Sequence, residues 1–372
     1  MKVLGLMSGT SADGVDAVLL QLRGRLRQPR WRLLGHHHHP YSALLRDRLT
    51  AVGQGAPLSA QAWLELQEAV TEAQASCARQ LDPAGHARLV GCHGQTVWHR
   101  PPRAGRRGVS CQLLLGPLLA RLLERPVVFD FRANDLARGG QGAPLVPLAD
   151  AALLGRRRQA TALLNLGGIA NLTLIPPRWS AAAAAVRGWD CGPANSLLDL
   201  AAHRLSAGRL HCDEDGRLAT GGVPVEGLIR QWLQEPYFQQ RPPKSTGRDC
   251  FGADDLARRL GQLQGHPTAD VMATLTHFSA AVVAQDLAPE PGLDALLVAG
   301  GGVRNPALQA ALRERLAPLP LVPLDQRGLP AVAREAAAFA LLAWWRWQGV
   351  SGTTPLITGA DRPCLTGTLA AP

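Results

Sequence analysis

Three glycine clusters predict that this 372-residue chain is an α/β protein built from two similar halves. Residues 2–22, KVLGLMSGTSADGVDAVLLQL, set two apolar, strand-like runs around a turn rich in Gly, Ser, Thr and Asp. Residues 161–175, TALLNLGGIANLTLI, repeat strand, Gly-Gly turn and strand about half a chain later. Residues 293–312, LDALLVAGGGVRNPALQAAL, run strand, triple glycine and helix. There Asn305 suits the N-cap and Pro306 the first helical position. Two such hairpins predict a duplicated fold with nucleotide held between the halves.

The first turn carries the most chemistry. Short hydroxyl side chains and two glycines let a backbone fold tightly around an anion and offer it N–H and O–H donors. Asp13 and Asp16 add carboxylates able to hold a divalent cation against that anion. The glycine spacing is neither the Walker pattern nor the dinucleotide fingerprint, and a strand follows where those need a helix. The turn reads as a β-hairpin phosphate loop, although an ordinary hairpin with a polar tip has the same local pattern.

The remaining elements follow in order. A helix is predicted over 60–80, a strand over 88–92 leading into GCHGQTVWH, a helix over about 118–124 and a strand over 126–131. The run His36 to His39, between Gly35 and Pro40, reads as a solvated loop, with adventitious metal affinity as the alternative. The second half opens near GGQGAPLVPLADAALL, a Gly-rich loop feeding a helix from about Pro144. In GWDCGPANSLLDLAAHRL, Asp190 is read as ending a short strand, Gly192 and Pro193 as a turn, and Asn195 as a helix cap. Residues 207–252 read as loop-rich, followed by helices over 269–287 and 331–347. Alternating strands and helices predict sheets covered by helices. The domains are expected at 1–135 and 136–372, with the last helix free to pack back on the first.

Composition excludes several classes. The net charge of +10 comes almost wholly from dispersed arginine, since Lys2 and Lys244 are the two lysines. Short arginine clusters at 23–32, 103–107 and 156–158 make no basic stripe with interleaved aromatics, so no nucleic-acid partner is expected. No run reaches membrane-spanning length, and the alanine tract at 181–186 is far too short. The start shows no secretion signal. Seven cysteines without a CxxC pair are read as reduced thiols of a cytoplasmic protein.

Strand ends followed by polar turns are where α/β proteins place their sites. Four segments have that form: His93, Gln95 and Thr96 in GCHGQTVWH; Asp130, Arg132 and Asp135 in VVFDFRANDLARGGQGAP; Asp190 in GWDCGPANS; and Glu335 in LPAVAREAAAFA. Each has a plain structural alternative. His93 fits a satisfied core histidine, Asp130 with Arg132 an ion pair, and Asp190 a turn cap. Glu335, the lone acid on an apolar helix, is costly to bury unpaired, which predicts a ligand or an arginine beside it.

MSGTSADGVDAVL, GCHGQTVWH, DFRANDLARGGQGAPLVP, LNLGGIANLTLI, WDCGPANSLLD, PKSTGRDCF and VAGGGVRNP stand in the order and spacing of the anhydro-N-acetylmuramic acid kinases. The chain resembles that family from first strand to last helix, and MSGTSxDG together with GGQGAPLVP is the most specific pair. The resemblance implies a two-domain actin-like (ribonuclease H-like) ATPase fold with an interdomain nucleotide cleft. It implies ATP- and Mg2+-dependent conversion of 1,6-anhydro-N-acetylmuramic acid to N-acetylmuramic acid 6-phosphate during cell-wall recycling. By the same resemblance Gly9, Thr10, Ser11, Ala12, Asp13, Gly14, Val15 and Asp16 bind the ATP phosphates, with Asp13 also toward the metal. Asn165, Gly167, Gly168, Asn171, Gly300, Gly301 and Gly302 complete the nucleotide site. Asp190 corresponds to the general base, and His93, Gln95, Thr96, Arg132 and Glu335 to sugar-binding positions. Cys191, Ala194 and Ser196 stand where the family more usually has Thr, Gly and Met, and Pro117 in LLLGP stands where it has an acid. The expected partners are the small-molecule sugar and, as a homodimer, a second copy of the chain. A kinase acting on a free hydroxyl, a sugar sensor and an actin-like chaperone are the competing readings. The last two would need a DNA-binding extension or a peptide-binding domain.

Overall fold

The computed structural model describes residues 1–103, 105–178, 186–247 and 250–372. It divides into two compact units, Met1–Leu154 with Val332–Pro372, and Gly155–Ala331. In chain order the first unit holds β1 (Lys2–Ser8), β2 (Gly14–Arg25), β3 (Gln28–Pro40), α1 (Ala43–Gly53), α2 (Ala60–Leu81), β4 (Leu89–Arg100), β5 (Val109–Leu113), α3 (Gly116–Leu123), β6 (Val127–Phe129), α4 (Ala133–Ala137) and α5 (Pro147–Leu154). The second holds β7 (Thr161–Leu166), β8 (Ile169–Ile175), β9 (Arg187–Pro193), α6 (Asn195–Leu205), α7 (Glu226–Leu233), α8 (Ala253–Gln262), α9 (Thr268–Leu287), β10 (Ala295–Ala299), α10 (Pro306–Leu316) and β11 (Leu321–Pro323). The chain then returns to the first unit with α11 (Arg334–Trp347), α12 (Pro355–Thr358) and β12 (Thr368–Ala370).

The two sheets share one plan. The first runs β12-β6-β4-β1-β2-β3, with β5 paired to β4, and the second runs β11-β10-β7-β8-β9. In each, a three-strand antiparallel meander continues into two parallel strands: β1, β2, β3 with β4 and β6, and β7, β8, β9 with β10 and β11. That is the ribonuclease H-like order, carried twice, and the fold is a two-domain actin-like α/β fold. The two hairpins legible in the sequence are the first two strands of each meander. Central strands read as continuous apolar runs because both faces are covered; every residue of β10, ALLVA, is buried.

Glycine sets how α11 seats on the first sheet. A Cβ on Gly5 of β1 would collide with the carbonyl oxygen of Ala336, and one on Gly91 of β4 with that of Phe339. Only hydrogen at these positions lets helix backbone lie directly on strand backbone. Ala336, Ala337, Ala338, Ala340 and Ala343 are all buried. The last helix therefore belongs to the first unit.

Several expectations are corrected. The boundary at 135/136 falls inside the first unit, because α5 packs with β3 and α11. The buried Arg334–Asp150 pair fastens α5 to α11, with Nε to Oδ1 at 2.9 Å. His36 to His39 lie on β3, paired with β2 from Val18↔His36 to Val15↔His39, and not in a loop. GCHGQTVWH is mostly strand, since β4 continues to Arg100 with Gly94 at positive φ and a register shift in its pairing to β5. Asp190 sits in the middle of β9 and not at a strand end, because β9 runs on through Pro193. The N-cap of α6 is Ala194, and Asn195 instead donates from Nδ2 to the Leu166 carbonyl at 2.9 Å. The helix expected from about Pro144 begins at Pro147, and the loop-rich stretch 207–252 contains α7. Residues 181–185 of the alanine tract, and Arg248 and Asp249 of PKSTGRDCF, lie outside the described residues. Asn305 does cap α10, accepting from Leu308 N–H at 3.1 Å. Among the described residues no helix is long and apolar enough to cross a membrane, and all seven cysteines are free.

A methyl group at Gly5 forces α11 away from β1. Gly5→Ala should lower the unfolding free energy by about 1–3 kcal/mol, the range of core overpacking, read as a lower urea midpoint at unchanged slope. An unchanged midpoint would show that the helix can shift without loss.

Candidate active site

In the first unit the β1–β2 turn stands on a buried polar base. Ser8, last residue of β1, has its Oγ 2.8 Å from the Tyr41 hydroxyl and accepts from Gln74 Nε2 at 2.7 Å. Ser8 is therefore committed beneath the turn, whereas Thr10, Ser11 and Asp13 are exposed above it. Ala12 N–H closes the turn on the Gly9 carbonyl at 3.1 Å, with Ala12 at φ 53°. Gly14 passes so close to β3 that a Cβ would collide with the His39 carbonyl oxygen. Val15 is fully buried beneath. Ser11 Oγ donates to Asp13 Oδ1 at 2.9 Å. Asp16, on β2, lies 2.8 Å from His38 Nδ1 across the ladder. Burial pushes its carboxyl up, against the pull of His38.

A second cluster in the same unit gathers His93, Arg132 and Glu335. The His93 ring packs on Phe339 of α11 at 4.6 Å between centroids. Its Nδ1 lies 3.0 Å from the Gly94 carbonyl, so that nitrogen carries the proton. Nε2 then accepts from Arg132, at 3.2 Å from Nε and 3.0 Å from Nη2. Burial and then the Arg132 charge hold the imidazole well below its usual value, so it is a neutral acceptor. Arg132 Nη1 also donates to the Gly142 carbonyl at 2.6 Å, which ties it to the GGQGAP loop. Asp135 is structural, accepting from Gly142 N–H and the Thr358 hydroxyl. Glu335 is half-buried in the first turn of α11. Burial pushes its carboxyl up, while the Arg334 and Arg132 charges pull it down.

Gln95 and Thr96 each have a partner within the first unit. Gln95 Nε2 donates to the Gly9 carbonyl at 2.9 Å and braces the hairpin turn. Thr96 Oγ1 accepts from Gln112 on β5 at 3.2 Å.

In the second unit three sequence motifs meet. The Gly167-Gly168 turn spans the start of α6: Ala194 and Ser196 N–H donate to the Gly168 carbonyl, and Asn195 N–H to that of Gly167. Gly300, at φ 87°, lies so close that a Cβ would be 2.7 Å from the Leu166 carbonyl carbon and 2.8 Å from Asn165 Oδ1. Gly302 packs on the Leu166 side chain in the same way, while Gly301 is exposed. Asn171 stands opposite Asp190 in the β8–β9 ladder. Asp190 is fixed through its backbone and its carboxylate. Its N–H donates to the Lys244 carbonyl at 3.1 Å, its carbonyl accepts from the Tyr237 hydroxyl at 2.7 Å, and Oδ2 accepts from Thr246 N–H at 3.0 Å.

Residues 1–372 match the sequence pattern of the family described as anhydro-N-acetylmuramic acid kinase. A protein of that name from Parasynechococcus marenigrum (strain WH8102) is 58% identical over 378 residues, covering 100% of both chains. One from Synechococcus sp. (strain CC9902) is 58% identical over 379 residues with the same coverage. The chain belongs to the anhydro-N-acetylmuramic acid kinase family. Among solved structures, component A of (R)-2-hydroxyglutaryl-CoA dehydratase from Acidaminococcus fermentans is similar at 12% identity and a TM-score of 0.44, covering 92% of this chain and 98% of that one. That likeness is too loose to bear on chemistry.

The departures from the usual kinase pattern are accommodated locally. Cys191 is fully buried beside Asp190, where its thiol is hydrogen-bonded to the Asp286 carboxylate, and burial pushes that thiol far up. Pro117 occupies the first turn of α3, where a missing N–H costs nothing. The residues that sequence reasoning missed are Lys244 and Asp286, buried behind Asp190. Lys244, one of only two lysines, was the available signal.

Because the folded-state carboxyl of Glu335 titrates above its unfolded value, the folded protein takes up this proton first as pH falls. Its cost to stability is thus present at neutral pH and is relieved toward the ordinary carboxylate range. Glu335→Gln should raise the urea midpoint at about pH 8, with the gain shrinking toward about pH 5. A midpoint gain that is constant with pH, or a loss at about pH 8, would contradict the burial reading.

Proposed function

We propose that the chain is an ATP-dependent kinase that hydrolytically opens the 1,6-anhydro ring of 1,6-anhydro-N-acetylmuramic acid and phosphorylates O6. The products are N-acetylmuramic acid 6-phosphate and ADP, which fits a role in cell-wall recycling and amino-sugar catabolism. The observation that carries this reading is Asp190, a half-buried carboxylate held by a backbone N–H within a chain of this family.

The anhydro sugar has no free 6-hydroxyl, because O6 is tied to C1. Asp190 removes a proton from water as the water oxygen bonds to C1. The C1–O6 bond breaks, and O6 takes the γ-phosphoryl group as the bond to the β-phosphate breaks. One atom is leaving group and phosphoryl acceptor, so ring opening and transfer are coupled.

ATP supplies the phosphoryl group, and its phosphates are assigned to the Gly9–Asp16 turn through the exposed Thr10 and Ser11 and the turn N–H groups. Asn165, Gly167, Gly168, Asn171 and Gly300, Gly301 and Gly302 are assigned to the rest of the nucleotide, where the close glycine packing keeps side chains clear. Mg2+ would be held by Asp13, with Asp16 nearby, and would neutralise phosphate charge. Mg2+ needs only one or two protein carboxylates beside phosphate and water, so these residues fit it, although among the described residues no cluster of three metal ligands occurs. Arg132 and Glu335 anchor the sugar, their opposite charges suiting a lactyl carboxylate and several hydroxyls, and neutral His93 orients Arg132. Gln95 and Thr96 are assigned to the sugar as well, Gln95 also bracing the Gly9 turn and Thr96 bonded to Gln112 across the β4–β5 ladder. ATP dependence and free cysteines fit a cytoplasmic enzyme, working as a homodimer.

Asp190→Asn should lower turnover by about 100- to 10,000-fold, since the amide cannot accept the proton, while calorimetry gives near wild-type ATP affinity. With the active enzyme in 18O-labelled water, the label should enter C1 and not the new phosphate ester, read promptly before anomeric exchange. Label in the transferred phosphate would mean that water attacks ATP first, and the coupled scheme would fall.

A further inference from the structure

The family activity leaves unexplained why a lysine and an aspartate are buried together behind β9. Among the described residues β9 is an edge strand, paired on one side to β8. Along its other side residues 244–246 act as a short extra rung. Asp190 N–H donates to the Lys244 carbonyl, and Thr246 N–H returns to Asp190 Oδ2. The rung therefore grips both the backbone and the carboxylate of one residue.

Lys244 fixes that rung to the body of the unit. Its Nζ meets Asp286 Oδ1 on α9 at 2.9 Å, with side chains 2% and 9% exposed. Trp189, the residue before Asp190, donates its indole N–H to Asp286 Oδ2 at 2.8 Å. The Lys244 ammonium also lies 5.1 Å from the centroid of the Tyr237 ring, whose hydroxyl holds the Asp190 carbonyl. One carboxylate on a 20-residue helix thus fastens strand and rung on either side of Asp190. A buried ion pair is a poor way to gain stability alone, because desolvation offsets much of the attraction and an apolar pair can do as well. What it adds is direction, since an ammonium and an indole N–H converging on two oxygens of one carboxylate allow few alternative placements.

We propose that the Lys244–Asp286 pair is a positioning device for the general base. It holds residues 244–246 in register so that Thr246 N–H keeps the Asp190 carboxylate aimed at the attacking water. The inference rests on the reading of Asp190 as the base. Lys244 and Asp286 are turned toward each other and buried, so their loss should affect the chemical step and leave substrate binding alone.

The test uses the full chain with ATP, Mg2+ and the anhydro sugar. Lys244→Met keeps the stem and removes the charge, Lys244→Met with Asp286→Asn removes both charges, and Lys244→Arg keeps the pair. Trp189→Phe removes the indole donor together with part of a buried ring system, so its kcat is read beside its urea midpoint. Lys244→Met and the double variant should each lower kcat by about 10- to 100-fold, with both KM values within about twofold of wild type. The double variant should regain the urea midpoint that Lys244→Met loses without regaining kcat, a split that a merely structural role does not produce. Lys244→Arg should recover most of kcat, and Trp189→Phe should lower kcat at unchanged KM even where the charge variants fail to fold. Wild-type kcat in folded Lys244→Met, recovery of kcat together with stability in the double variant, or equal losses in Lys244→Arg and Lys244→Met would overturn the proposal. In a set where the charge variants do not fold, wild-type kcat in Trp189→Phe does the same. Asp190→Asn, measured alongside, separates the two readings. If it keeps turnover, the assignment of the base fails. If it is inactive while the double variant is as fast as wild type, only the positioning role fails.

Discussion

The close approach of strand backbone to helix backbone at Gly5 and Gly91 fixes much of what surrounds it. Because α11 lies directly on β1 and β4, Phe339 reaches the His93 ring, and Glu335 enters at the same end of the strands. Any side chain at those two positions would lift the helix and carry Glu335 and Phe339 with it. The same helix brings Arg334 to Asp150 and so draws residues 147–154 into the unit. Packing that looks purely structural thus decides which charges stand near Arg132. Interiors are close-packed and transmit small displacements, so a methyl group under α11 is also a change at His93 and Glu335.

The two sheets share their order but differ at the meander edge. In the first unit β3 is long, 13 residues, and matches β2 along its whole length. In the second β9 is seven residues long and carries Asp190 at its middle. An exposed edge strand leaves unpaired N–H and C=O groups and little to fix a side chain upon it. The 244–246 rung answers both problems, satisfying the edge while holding the carboxylate. A position that is weak in a bare meander becomes a rigid mount.

How far the sequence reveals this follows from the range of each interaction. The glycine turns, the Asn305 cap and the helix near 60–81 were legible because their causes lie within a few residues. β3 was not, because His36 to His39 offer no apolar alternation, and their strand character comes from pairing with β2. The helix at 226–233 was hidden in a stretch read as loop, although its buried Ile229 and Trp232 recur at helical spacing. The candidate site residues were singled out by strand ends and glycine turns and given roles by resemblance, but their partners were missed. Lys244 finds Asp286 across 42 residues, and Arg334 finds Asp150 across 184. No local rule pairs residues so far apart. Gln95 likewise has a partner that the sequence does not show, the Gly9 carbonyl 86 residues away, which it braces through Nε2.

The charges of the first unit are arranged so that one of them stays costly. Arg334 neighbours Glu335 in sequence and pulls its carboxyl down, while Nε and Nη2 of its guanidinium bind Asp150. Arg132 pulls in the same direction while donating to His93 and Gly142. A protonated His93 would repel Arg132, whereas its neutral form accepts from it, so burial of the imidazole keeps the arginine in place. Burial outweighs the pull of the Arg334 and Arg132 charges, so the Glu335 carboxyl stays raised. A fold selected for stability alone would replace it with an amide or an apolar residue, as the desolvation penalty requires. Carboxylates kept under such strain cluster where a ligand supplies the missing donors, and several sugar hydroxyls offer them in one molecule.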